Sequence, residues 1–147
     1  ITRTNYPIHN HIYDIKSIVL SGRIGCQNYE VRQCEVSDKL LYDVLYFKNR
    51  SVLKPTKKKI EVIQRSLSWA KEDSFYQIKK GEFHQSVVPK GEFSATLLKN
   101  YNYSNQTNPK VVVDSNNIDS STENIKVPTF LLENNLIFLK NRLFKNS

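Results

Sequence analysis

Read from the N-terminus, the apolar positions first recur at alternate residues. The stretch Ile12 to Ile24 is rich in β-branched side chains and sets Ile18, Leu20 and Ile24 on one side of an extended chain. Gly22 within it predicts a bulge or a sharp bend. Gly25 to Asn28 then predicts a turn, and Tyr29 to Ser37 a second strand. After a turn signal at Ser37-Asp38-Lys39, Leu40 to Phe47 predicts a third strand with Tyr42, Val44 and Tyr46 on one face. Three strands joined this way predict an antiparallel meander.

The period then changes. Thr56, following Pro55, suits a helix N-cap, and Ile60, Ile63, Leu67 and Ala70 keep a helical face as far as Lys71. Against that helix, Lys57, Lys58 and Lys59 fall in its first turn, where the dipole disfavours cations. Two further strands follow, at Ser74 to Lys80 and Glu92 to Tyr103. Between them KGEF occurs twice, at Lys80 to Phe83 and Lys90 to Phe93, which predicts two Gly-centred turns rather than a repeat unit. Residues 104–128, rich in Asn, Ser and Asp and broken only by Val111 to Val113, predict a mobile connection.

Pro128 and Thr129 can start a terminal helix over 129–145, with Glu133 near its start and Lys140, Arg142 and Lys145 near its end. At about 100° per residue, Leu132, Leu136, Leu139 and Leu143 form one stripe, Phe130, Ile137 and Phe144 a second, and Leu131 and Phe138 a third. A helix that only covers its own domain needs one stripe. The surplus predicts a partner's helix along the leucine seam.

Three strands, a helix, two strands, a connection and a helix is the order of a five-stranded OB-type Greek-key barrel. The expectation is therefore a mainly β domain over 1–147, with one helix between strands three and four and a C-terminal helix. A small α+β sheet with two packed helices would give the same order.

Composition narrows the class. At 147 residues and 39% apolar content, one modest core is expected. No run of about 18 apolar residues is present to span a bilayer. The sequence has no methionine, so its first residue says nothing about a targeting segment. Cys26 and Cys34 read as free thiols. The net charge of +8 favours a polyanionic partner. Between Asp43 and Glu61 there is no acid, while Lys48, Arg50, Lys54, Lys57, Lys58 and Lys59 supply cations. Enrichment in Asn, Ile, Lys and Tyr also suits an AT-rich coding sequence, which raises Lys without any ligand.

Catalytic signatures are scarce. His9 and His11 form an H-x-H pair that on a strand puts both rings on one face, but zinc needs a third ligand and usually a fourth. Cys26, Cys34, His84 and scattered acids are on offer without motif spacing. The expectation is two surface histidines near a frayed terminus, with no metal, no cofactor and no enzymatic activity. No phosphate loop or nucleophile elbow occurs among only four glycines. Three sequon triplets, beginning at Asn49, Asn102 and Asn105, arise easily in an Asn-rich chain.

Ile18 to Ile24, IVLSGRI, resembles the first strand of replication protein A-type domains, and Tyr29 to Phe47 resembles their second and third strands. The acidic-Gly-Thr-Gly turn of many such domains is absent here. A single barrel with a long C-terminal helix is similar to the smallest subunits of replication protein A and of the telomere-capping CST complex. That resemblance implies a nuclear, non-catalytic subunit of a complex that maintains single-stranded DNA or telomeres. It would dock another OB-fold subunit through Leu132, Leu136, Leu139 and Leu143. Single-stranded nucleic acid would lie on Arg23, Arg32, Tyr42, Tyr46, Tyr76 and Lys54, Lys57, Lys58 and Lys59, bases on aromatics and phosphates on cations. A basic RNA-binding protein, such as an organellar ribosomal protein, is the alternative.

Overall fold

In the computed structural model, residues 8–47, 50–115 and 121–123 are described. They form β1 (Asp14–Ser21), β2 (Arg23–Gln33), β3 (Lys39–Tyr46), β4 (Arg50–Lys71), β5 (Phe75–Ile78), β6 (Phe83–Val87), β7 (Ala95–Tyr101), β8 (Lys110–Asp114) and β9 (Ser121–Glu123). Every strand pairing is antiparallel. One sheet has the order β5-β1-β7; the other runs β6-β2-β4-β3-β8, with β9 on the start of β4.

The two sheets are one ribbon bent over. β1 pairs with β5 and β7, and β2 pairs with β4 and β6. β2 follows β1 across Gly22, β5 follows β4 across residues 72–74, and β7 follows β6 across residues 88–94. The same three runs of chain are thus neighbours on both sides of the bend. Gly22 makes the corner with φ 73°, and a Cβ there would lie 2.1 Å from the Phe93 carbonyl oxygen. Only glycine fits so close an approach.

Core burial follows the pairing. Leu41 lies opposite Val112 and packs with Ile60 on one face. Tyr42 and Leu40 lie opposite Val111 and Val113 on the other, packed with Val44 and Leu53. Both faces of β3 and β8 are covered, which is why each reads as a continuous apolar run rather than an alternation.

Several expectations are corrected. The strands do not close into an OB-type barrel. No helix lies between the third and fourth strands, because Thr56 to Lys71 belongs to β4, a strand of 22 residues; among the described residues there is no helix at all. The helical spacing conceals two strand faces: Ile60 and Leu67 lie opposite Gln33 and Gln27, Ile63 and Ala70 opposite Glu30 and Ile24. Opposite Gln27 and Tyr29, β4 steps from Leu67 to Gln64, so Arg65 and Ser66 together face Asn28 in a β-bulge. The bulge slips the alternation by one residue, which is why Ile60 and Leu67 share a face although the step between them is odd. The lysines at 57–59 are not in a helix's first turn but beside a second irregularity, where Lys57 has φ 62°.

The turn expected at Gly25 to Asn28 is strand interior, and β2 and β3 pair in succession along β4 instead of forming a meander. The bend expected at Gly22 is present, as are turns at Gly81 and Gly91. Between those turns lies β6, which the sequence reading did not assign. β8 lies within the stretch read as a connection, with Val111, Val112 and Val113 all buried. The terminal helix over 129–145, with its seam of Leu132, Leu136, Leu139 and Leu143, falls outside the described residues.

Candidate metal centre

Ahead of β1, residues Ile8 to Tyr13 run between two strands of the larger sheet. His9 bridges His84 of β6 and Val111 of β8. Its N–H donates to the His84 carbonyl at 3.1 Å, and the His84 N–H returns a bond to the His9 carbonyl at 2.9 Å. Asn10 clasps Lys110, donating its N–H to the Lys110 carbonyl at 3.0 Å and accepting the Lys110 N–H on Oδ1 at 2.7 Å. The carbonyl of His11 accepts from the N–H of Gly81 at 2.9 Å. This segment is not a frayed end; it is tied into the sheet on both sides.

The consequence is a cluster that sequence separation conceals. The rings of His9, His11 and His84 sit 4.6 to 5.1 Å apart, centroid to centroid. Among the described residues they form a group of three possible metal ligands whose donor atoms all lie within 4.8 Å of one another. Nitrogens around a tetrahedral ion, with bonds of about 2.0–2.1 Å, stand roughly 3.3 Å apart. The three rings must turn inward to reach that spacing.

His84 is 2% exposed, and its Nδ1 lies 3.0 Å from the Glu82 carbonyl. A carbonyl only accepts, so Nδ1 carries the proton and Nε2 presents its lone pair. A ligating histidine held through its other ring nitrogen is the usual outer-shell arrangement of metal sites. Burial pushes His84 down to about 4, against an opposing pull from the Glu82 carbonyl. Burial, then the charges of His9 and His84, pushes His11 down to about 4 as well. Both imidazoles are therefore neutral at physiological pH, the state that binds a cation.

Around the triad, Tyr13 stacks on His11 with ring centroids 5.0 Å apart, and Tyr103 leans on Tyr13 at 5.1 Å. Burial first, then Tyr46 and Tyr103, raises the Tyr13 phenol above its ordinary range. Asp14 is 5% exposed and acts as the pin of this corner. Its Oδ1 accepts the Lys80 N–H at 2.8 Å and its Oδ2 the Asn102 side chain at 2.9 Å. The Asn102 amide, then the Lys80 N–H, holds this carboxylate below its usual range. Asp14 thereby fixes the turn leading into β6, and with it the position of His84.

The residues expected to hold nucleic acid fall on β2, β3, β4, β5 and the bend at Gly22. Tyr42 is buried in the core, and Tyr76 is half-buried on β5, opposite Ser17. Arg23, at the bend, pairs with Glu92 at 2.7 Å and lies over the Trp69 ring. Arg32 pairs with Glu30, which also binds Arg65. Tyr46 is exposed at the end of β3. Lys54, Lys57, Lys58 and Lys59 are all exposed on β4, and no ion pair among the described residues engages them. Cys26 and Cys34 are free thiols, Cys26 raised by burial and then by Glu82.

The sequence reading named His84 without a strand to carry it. The alternation Phe83, Gln85, Val87 is the signal that would have made β6 a strand and put His84 beside the H-x-H pair. Compared with known proteins, the chain matches no family model, no curated protein and no solved structure.

Proposed function

We propose that this chain is a metalloprotein in which His9, His11 and His84 hold a divalent transition-metal ion. The observation that carries the reading is the convergence of three ring nitrogen sets within 4.8 Å at a tied, half-buried corner. Structural zinc sites close the ion with four protein ligands, whereas catalytic sites keep three and leave a position for water or substrate. A triad with no cysteine or carboxylate among its ligands fits the second kind. Imidazole donors suit zinc, iron, copper and nickel, and neutral donors leave the ion's full charge to polarise a bound small molecule or water. On this reading the protein is an enzyme acting on a small molecule at an open metal position.

Metal analysis of the purified protein tests this. Zinc, iron, copper or nickel should be present in stoichiometric amount, and His84→Ala should lose it while keeping the far-ultraviolet circular dichroism of a β protein. Equal trace metal in both proteins, before and after incubation with each ion, would sink the proposal.

A second reading rests on the four exposed lysines of β4. They support the expectation of a non-catalytic subunit in a nucleic-acid complex, with phosphates on Lys54, Lys57, Lys58 and Lys59. Replacing all four by Glu should then lower the salt dependence of single-strand binding by about 0.7 in slope per lost contact. An unchanged slope would leave them as solvent-facing charges.

A further inference from the structure

From Ile60 to Lys71, β4 is bonded on one edge only, to β2; among the described residues no strand covers its other edge. Proteins blunt such edges with charges. Here the run Ser66-Leu67-Ser68-Trp69-Ala70 carries none, and Leu67 and Trp69 are each 46% exposed. We propose that this edge pairs antiparallel with the same edge of a second copy, about a two-fold axis at the Arg65–Ser66 bulge.

The occupant follows from the strand's own register. Residues that pair across a ladder share a face. Ile60, Val62 and Gln64 lie opposite Gln33, Val31 and Tyr29; beyond the bulge, Leu67, Trp69 and Lys71 lie opposite Gln27, Gly25 and Arg23. These six β4 residues therefore share one face, although the step from Gln64 to Leu67 is odd. An ordinary strand laid along this edge would meet the extra residue and lose its register. A second copy carries the same extra residue.

When Arg65 of each chain faces the partner's Ser66, the two slips coincide. Gln64 then faces the partner's Leu67, Val62 the partner's Trp69, and Ile60 the partner's Lys71, all on the matching face. Shifting by one residue would set Leu67 and Trp69 against the opposite face, and shifting by two would separate the bulges. The arrangement is isologous, so it closes at two subunits. It also covers the apolar edge that Leu67 and Trp69 leave in water. This pairing is independent of the metal reading.

Analytical ultracentrifugation of the full chain should show a dimer, and Gln64→Asp combined with Leu67→Asp, which opposes carboxylates twice across the axis, should weaken it by about tenfold or more. Its circular dichroism should stay that of the parent. In a chain with Cys26→Ser and Cys34→Ser, Glu61→Cys with Ala70→Cys puts thiols on directly facing positions and should yield a covalent dimer on oxidation. Those two positions are too far apart along one strand to bridge within a chain. A parent that stays monomeric up to about 100 µM overturns the proposal. So does a dimer that resists the double Asp change, or one in which the paired cysteines fail to cross-link.

Discussion

The histidine corner and the outer half of β4 both border the larger sheet and treat their polar groups in opposite ways. At the corner, Ile8 to Asp14 is bonded on both sides, to β6 and β8, and its carboxylate and the His84 imidazole are buried with named partners. On the outer half of β4, one edge is open, the Arg65–Glu30 ion pair is exposed, and two large apolar side chains stand in water. Buried polar groups are costly unless satisfied, and once satisfied they hold one geometry. The corner is therefore fitted to fix atoms in place, and the outer strand to meet a surface.

The sharpest way to break this contrast is at the bend both regions depend on. Gly22→Ala pushes a methyl into the Phe93 carbonyl, and chemical denaturation should show a loss of more than about 3 kcal/mol, or no folded protein. Next in size, Asp14→Ala releases the turn before His84. Calorimetric titration with zinc should show affinity reduced roughly 10- to 100-fold, the range for an outer-shell partner. Arg23→Ala, beyond the bend, should leave that affinity unchanged; an equal loss from both variants would erase the distinction.

A pH series sharpens the comparison further. His11 and His84 are held near 4 in the folded chain, against 6.5 when unfolded. The unfolded chain therefore binds more protons over that interval, and stability present above pH 6.5 is lost as the pH falls toward 4. In metal-free protein the melting temperature should drop by roughly 5–10 °C between pH 7 and 4, and His11→Phe should flatten part of that drop. The smallest effect belongs to the outer strand. Glu30→Gln removes an exposed partner of Arg32 and Arg65, and the melting temperature should move by no more than about 2 °C.

By itself the sequence determined the strand-forming stretches around Ile15 to Leu20 and Leu40 to Tyr46, the bend at Gly22, and the turns at Gly81 and Gly91. Each rests on local chemistry: β-branched alternation, or a position that needs positive φ. It also displayed the H-x-H pair. Tertiary structure alone decided that Thr56 to Lys71 is strand, since pairing with β2 and β3 overrides the helical spacing of its apolar residues. It alone brought His84 to His9 and His11, more than 70 residues away along the chain. Local preference acts over a few residues, whereas strand pairing joins residues at any separation. The third histidine joins the pair only once β6 has a neighbour.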